Sequence, residues 1–210
     1  NHCGRGFWAF HHLLENGELS PYRDWFDVHK WPINPYPKDG EKCGYSCWWN
    51  DPALPKFNHK NHLVREYLFA VGCYWIELGV DGWRLDVADE VPADFWIQFR
   101  QKIKTLNSDA WILGEIWGDA RPWLHGDHFD GVMNYRVGWS TLSWVGDGEL
   151  NSDYKNASYP IRNINAKDFI DILITTFGWY RDEVNCSQLN LLDSHDVPRA
   201  LNYLKGDVNA

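Results

Sequence analysis

Apolar residues recur at helical spacing in three stretches of the chain. From Asn61 onward, Val64, Tyr67, Leu68, Val71, Tyr74, Trp75 and Leu78 fall on one face, and Gly79 follows as a stop. Pro92 opens a second helix whose apolar face carries Phe95, Trp96, Phe99 and Ile103. A third helix is expected from about Asp168 to Tyr180. Between and after these lie short apolar runs at 79–87, 110–116, 131–135 and 189–194, which read as strands. Strands alternating with helices indicate an α/β fold built on a parallel sheet. Residues 3–60 lack sustained periodicity, and Pro32, Pro35, Pro37, Gly40 and Gly44 break any long element there. A segment this long without regular structure is usually functional or a small subdomain. Residues 136–166 are mixed and polar, and no element is assigned to them.

The short apolar runs end in acids. In Asp81-Gly82-Trp83-Arg84-Leu85-Asp86, an extended backbone points Arg84 and Asp86 to one face and Leu85 to the other. A guanidinium and a carboxylate on one strand face are costly to bury unless something uses them. A structural ion pair is the plain explanation for this stretch alone. The pattern recurs, however, in the run that ends at Glu115 and in the run through Ser194, His195 and Asp196. A parallel barrel gathers the C-terminal ends of its strands at one mouth, where active sites are built. Three strand ends would bring Asp86, Glu115 and Asp196 into one pocket.

Charge and composition narrow the chemistry. Acidic residues outnumber basic ones, 29 to 20, with no basic block, which argues against nucleic acid and against an anionic membrane surface. No apolar run approaches the roughly 20 residues of a membrane span. The fourteen Trp are unusual. Flat aromatic faces stack on sugar rings, although most must be core, as the helical spacing of Trp75 and Trp96 suggests. Five Cys, with no paired metal spacing, read as free thiols of a cytoplasmic protein. Cys43 and Cys47 are close enough in sequence to bridge or share a metal, but nothing else in the sequence supports either. Asn156-Ala-Ser and Asn185-Cys-Ser fit a glycosylation pattern that short matches often meet by chance.

Asp-Gly-Trp-Arg-Leu-Asp (81–86), Gly-Glu-Ile-Trp (114–117) and Ser-His-Asp (194–196) resemble, in order and spacing, motifs of the alpha-amylase family of glycoside hydrolases. Asn1-His2 is similar to the tail of that family's first motif, whose aspartate would lie just upstream. The resemblance runs the length of the chain. It implies a partial TIM (β/α)8 barrel comprising about strands four to seven, with a B-domain-like segment inserted after strand three. On that reading residues 1–2 end strand three, 3–60 form the insertion, and 61–210 belong to the catalytic barrel, incomplete at both ends. Such a piece, expressed alone, is expected to fold poorly and to be inactive.

Leu54-Pro55-Lys56-Phe57-Asn58 resembles the subfamily motif Met-Pro-Lys-Leu-Asn of neopullulanases and cyclomaltodextrinases, departing at two apolar positions. Asp-Ala-x-Pro-Trp-Leu (119–124), Gly-Asp-x-Phe-Asp (126–130) and Val-Met-Asn-Tyr (132–135) point to the same group, which includes maltogenic amylases. The resemblance therefore implies a retaining hydrolase of alpha-1,4-glucosidic bonds in maltooligosaccharides, cyclodextrins or pullulan, with the whole protein a homodimer. A transglycosylase that passes the glucosyl unit to another sugar is an alternative. A non-catalytic amylase-like binding module is another, disfavoured because such relatives lose catalytic carboxylates.

Glycosidic cleavage takes two carboxyl groups, one ionised and one holding a proton. Asp86, beside Arg84, suits the nucleophile; Glu115 suits the acid; Asp196 would bind sugar hydroxyls and offset positive charge at the anomeric carbon. His2, Arg84, His195, Trp117, Glu90, Trp48 and Trp49 are the expected substrate-binding residues. Ser194, His195 and Asp196 are not a serine-hydrolase triad, because consecutive residues cannot converge in that geometry. Asp119 and Asp127 read as solvated or structural. The chemistry requires no cofactor. Family analogy makes a structural calcium at Asn1 conceivable, though the subfamily often carries it elsewhere.

Overall fold

The computed structural model describes residues 1–146, 148–151, 153–154 and 159–205. They divide into two compact units: Asn1–Val80 with Glu90–Asp109, and Asp81–Asp89 with Ala110–Ala210.

The first unit holds helices α1 (Trp8–Asn16), α2 (His62–Glu77) and α3 (Ala93–Leu106). Helix α1 falls where no element was expected. Its buried stripe is only Ala9, Phe10 and Leu13, interrupted by His11 and His12, so a periodic signal has too little length to register. Gly17, at φ 56°, ends it. The stripe packs with Trp25, Phe26, Tyr45, Phe57 and Val64 into an aromatic core. Each fully buried large side chain there contributes on the order of 1.5–3 kcal/mol. Bridges such as Phe26 with Phe57 and Val28 with Tyr45 tie the irregular segment together.

Helix α2 begins at Asn61, whose side chain accepts from the Leu63 N–H at 2.9 Å. Its buried face is Val64, Phe69, Gly72 and Ile76, which corrects the expected phase. Tyr74, Trp75 and Leu78 are exposed, so Trp75 is not core. The reason is Gly72: a Cβ there would lie 2.4 Å from the Phe99 ring, so α2 meets α3 through its smallest residue. Helix α3 buries Phe95, Trp96, Phe99 and Ile103, as their spacing predicts.

The second unit contains a three-stranded parallel sheet, β1 (Gly82–Leu85), β2 (Trp111–Gly114) and β3 (Gly131–Val132), in that order. Gly82 pairs with Trp111 and Leu85 with Gly114; Leu113 pairs with Gly131. At Gly82 a Cβ would sit 2.0 Å from the Trp111 carbonyl oxygen, so the close approach requires glycine. Among the described residues four helices follow: α4 (Tyr135–Val145), α5 (Ala166–Gly178), α6 (Asp182–Cys186) and α7 (Ala200–Tyr203). Helix α4 was unassigned because its buried positions include Gly138, Ser140 and Ser143, which a hydrophobic pattern does not count. The strand expected at 131–135 is correspondingly shorter, since Tyr135 opens α4.

The expected strand at 189–194 reduces to one parallel bridge, Met133 to Leu189. Side chains occupy the backbone groups a ladder would use. Gln188 Oε1 accepts from Val132 N–H at 2.8 Å, and Tyr159 Oη donates to the Leu192 carbonyl at 2.5 Å. Among the described residues no helix is long and apolar enough to cross a membrane. The Asn156 sequon lies outside the described residues, whereas the Asn185 amide donates to the Phe177 and Tyr180 carbonyls.

Candidate active site

The alternation of β1 puts Arg84 and Asp86 on one face and buries Leu85 on the other. Arg84 Nη1 donates to Asp86 Oδ1 at 2.5 Å. The other terminal nitrogen, Nη2, lies 2.9 Å from Glu115 Oε1 and 3.6 Å from Asp196 Oδ2. Arg84 Nε donates to Met133 Sδ at 3.4 Å. One planar guanidinium thus meets carboxylates from the end of β1, the end of β2 and the segment after Leu189. The register of β1 and β2 explains the first two: Glu115 follows Gly114, the partner of Leu85, and its N–H donates to the Leu85 carbonyl at 2.9 Å.

The carboxylates differ in surroundings. The Glu115 side chain is only 7% exposed, against 49% for Asp86 and 34% for Asp196. Burial of Glu115 is compensated: Oε1 accepts from Trp117 Nε1 at 3.1 Å and Oε2 from the Val87 N–H at 3.0 Å. Val87 makes that bond at φ 46°, a conformation that costs a β-branched residue on the order of 1–3 kcal/mol. Backbone strain beside Asp86 thus aims a donor at Glu115.

Trp117 stacks on Tyr135 with ring centroids 4.0 Å apart. Tyr135 Oη lies 2.9 Å from Ser194 Oγ, which accepts from the Asp196 N–H at 3.1 Å. Burial holds the Tyr135 hydroxyl above the ordinary phenol range; the Ser194 hydrogen bond opposes this, and the charges of Glu115 and Asp196 reinforce it. Tyr135 therefore keeps its proton at neutral pH. His195 is largely exposed, with Nε2 3.4 Å from Asp196 Oδ2.

The remaining expected site residues gather in the first unit. His2 stacks on Trp48 at 5.1 Å, and Trp48 on Trp49 at 4.8 Å, a continuous run of three rings. Trp49 ends the run 81% exposed. Glu90 Oε2 accepts from Lys56 Nζ at 2.7 Å and from Asn1 Nδ2 at 3.1 Å. Burial pushes the Glu90 carboxyl up, but the hydrogen bonds from Lys56 and Asn1 and the Lys56 charge outweigh it and hold it below its ordinary value. Calcium takes about 6–8 oxygen ligands. The surroundings of Asn1 do not fit it, because the Lys56 ammonium already sits on the Glu90 carboxylate. Among the described residues no group of three or more His, Cys, Asp or Glu is placed to hold a metal ion. Asp119 is paired with Arg121 and Asp127 with His128, as structural residues would be.

The family described as alpha amylase, catalytic domain, matches the chain over residues 1–210. The chain belongs to the alpha-amylase family. Within that family it is 41% identical over 209 residues to a cyclomaltodextrinase of Geobacillus thermopakistaniensis, covering 99% of this chain and 32% of that protein. It is 39% identical over 208 residues to neopullulanase 2 of Thermoactinomyces vulgaris, again covering 99% of this chain and 32% of the relative. It therefore spans about a third of the length of the curated relatives it matches. A solved structure from Thermus thermophilus superposes with a TM-score of 0.94 at 48% identity, covering 99% of this chain and 44% of that one. Together these give the alpha-amylase chain a TIM-barrel-like α/β fold and place it among cyclomaltodextrinase and neopullulanase relatives. The sequence assigns no role to Val87 or Tyr135, and it offers Ser194 only as part of the Ser-His-Asp motif. For Tyr135 the available signal is Val-Met-Asn-Tyr (132–135), which marks the subfamily without saying what its Tyr does.

Proposed function

We propose that this alpha-amylase chain carries the reacting groups of a retaining glycoside hydrolase that cleaves alpha-1,4-glucosidic bonds in maltooligosaccharides, cyclodextrins or pullulan. The observation that carries the reading is the Arg84 guanidinium, which touches both Asp86 and Glu115. Sharing one guanidinium draws the two carboxyl groups together, which favours the roughly 5–5.5 Å separation of retaining enzymes over the wider gap that admits a water. The names of the relatives, cyclomaltodextrinase and neopullulanase, support the substrate class. The sheet is read as part of strands four to seven of the barrel. The five unbridged cysteines support a reducing, cytoplasmic setting.

Asp86 Oδ attacks the anomeric carbon while Glu115 gives its proton to the departing glycosidic oxygen. The bond to that oxygen breaks, an ester to Asp86 forms, and the leaving sugar departs as an alcohol. Glu115, now ionised, takes a proton from water, whose oxygen displaces Asp86 from the same carbon. Two inversions give net retention. Arg84 holds Asp86 aligned, Trp117 and the Val87 N–H orient Glu115, and Asp196 offsets the positive charge that develops on the sugar ring.

NMR of the first-formed product of the full-length protein tests this. An alpha anomer from an alpha-linked substrate is expected; a beta anomer overturns the assignment of Asp86. Asp86→Asn keeps the shape and removes the nucleophile, so turnover should fall by about 10^4-fold or more while sugar binding persists.

A further inference from the structure

A fully extended chain would hold residues 43 and 47 roughly 13 Å apart. Gly44 breaks the extension. Its φ is +89°, and a Cβ there would lie 2.5 Å from the Lys30 carbonyl oxygen. Its own carbonyl accepts from the N–H groups of His29 and Lys30 at 2.9 and 3.0 Å, which fixes the bend. The bend brings Cys43 Sγ to 3.4 Å from Cys47 Sγ. Both thiols also donate to the Tyr45 carbonyl, at 3.1 and 3.5 Å. A disulfide needs about 2.05 Å between its sulfurs, so a shift of about 1.4 Å would close one. Both cysteines line an open cavity of about 520 Å³ that also presents His29, Glu41, Lys42 and Lys56, the last paired with Glu90. The cavity is wide enough to admit a small molecule to both sulfurs.

We propose that Cys43 and Cys47 are a reversible dithiol–disulfide site, oxidised by a low-molecular-weight disulfide that enters this cavity. The Cys43 thiolate attacks one sulfur of the small disulfide, forming a mixed disulfide and releasing the first small thiol, which carries away the Cys43 proton. Cys47 then attacks Cys43 Sγ, and the second small thiol departs with the Cys47 proton. Two cysteine thiols are oxidised and one small disulfide is reduced to two thiols. The order of attack follows from burial: it pushes the Cys47 thiol up to about 12, with the hydrogen bond that Cys47 donates to Cys43 adding to it, so Cys47 suits the resolving step. Closure would be felt next door, because Cys47 adjoins Trp48, whose N–H is fixed to the Leu54 carbonyl at 3.0 Å.

The site is tested on the protein that carries this chain, fully reduced and then equilibrated against a series of glutathione to glutathione-disulfide ratios. Free thiols are alkylated and the peptides mapped by mass. The expected product is a peptide short of two hydrogens that joins Cys43 to Cys47, reversed by dithiothreitol, while exposed Cys186 takes a mixed disulfide instead. Cys43→Ser should abolish the internal link and leave Cys47 as a thiol or a mixed disulfide. Recovery of both cysteines as alkylated thiols at ratios that fully convert Cys186 would overturn the proposal. So would a link from either cysteine to Cys3 or Cys73.

Discussion

Glu115 and Glu90 are both partly or wholly buried acids held by a cation, yet their surroundings are built to opposite ends. Around Glu90, one carboxylate meets one ammonium, from Lys56, and an amide from Asn1. The charges balance, and the arrangement holds two chain segments together. Around Glu115, three carboxylates converge on the single guanidinium of Arg84. Like charges that close are costly unless a positive charge joins them. A glycosyl carbon that becomes cationic during cleavage is such a charge. The difference teaches that an excess of acids over their shared cation, rather than burial alone, marks where chemistry is supported.

The strongest test of this contrast removes the cation from each region. Arg84→Met should lower kcat/KM on maltooligosaccharides by about 10^3-fold or more, since it releases the nucleophile and its neighbours together. It should also cost about 2 kcal/mol in urea unfolding, reduced from a fully buried case because Arg84 is partly exposed. Lys56→Met should cost less than about 1 kcal/mol, as partly exposed pairs do, and leave most activity. Equal losses in the two variants would erase the distinction.

A pH effect of intermediate size separates the first unit from the second. Burial, with positive charge nearby that includes Arg65, holds His59 down to about 3 from an ordinary 6.5. Between those values the unfolded chain binds more protons at this site than the folded one. Stability therefore falls as pH drops below 6.5 and goes on falling toward 3. His59→Phe should flatten that slope in denaturant titrations from pH 7 to pH 4. An unchanged slope would remove His59 from the account of acid sensitivity.

The smallest expected effect concerns the aromatic run of His2, Trp48 and Trp49. Trp49→Ala removes an exposed ring and little core, so Tm should hold. KM for cyclomaltodextrin should rise by about 3–10-fold, with kcat within about twofold, as for loss of one stacking contact. An unchanged KM would leave Trp49 outside the sugar path.

The convergence of Asp86, Glu115 and Asp196 on Arg84 was readable from the sequence because it depends on local order. Alternation alone sets Arg84 beside Asp86, and acids at the ends of apolar runs become neighbours wherever those runs pair in parallel. Helix α3 and strand β2 were likewise visible, since their apolar spacing is carried by large residues. What the tertiary structure decided depends on partners distant in sequence or on residues with no side chain to count. Gly72 turned α2 toward Phe99 and exposed Trp75; Gly138 and the serines of α4 hid a buried helix; Gln188 and Tyr159 replaced a strand ladder with side-chain bonds. The strained Val87 N–H on Glu115, the link from Trp117 through Tyr135 to Ser194, and the approach of Cys43 to Cys47 arise the same way. Periodicity reports which residues seek burial. Close packing decides which neighbour each one meets, and that choice is made over the whole fold.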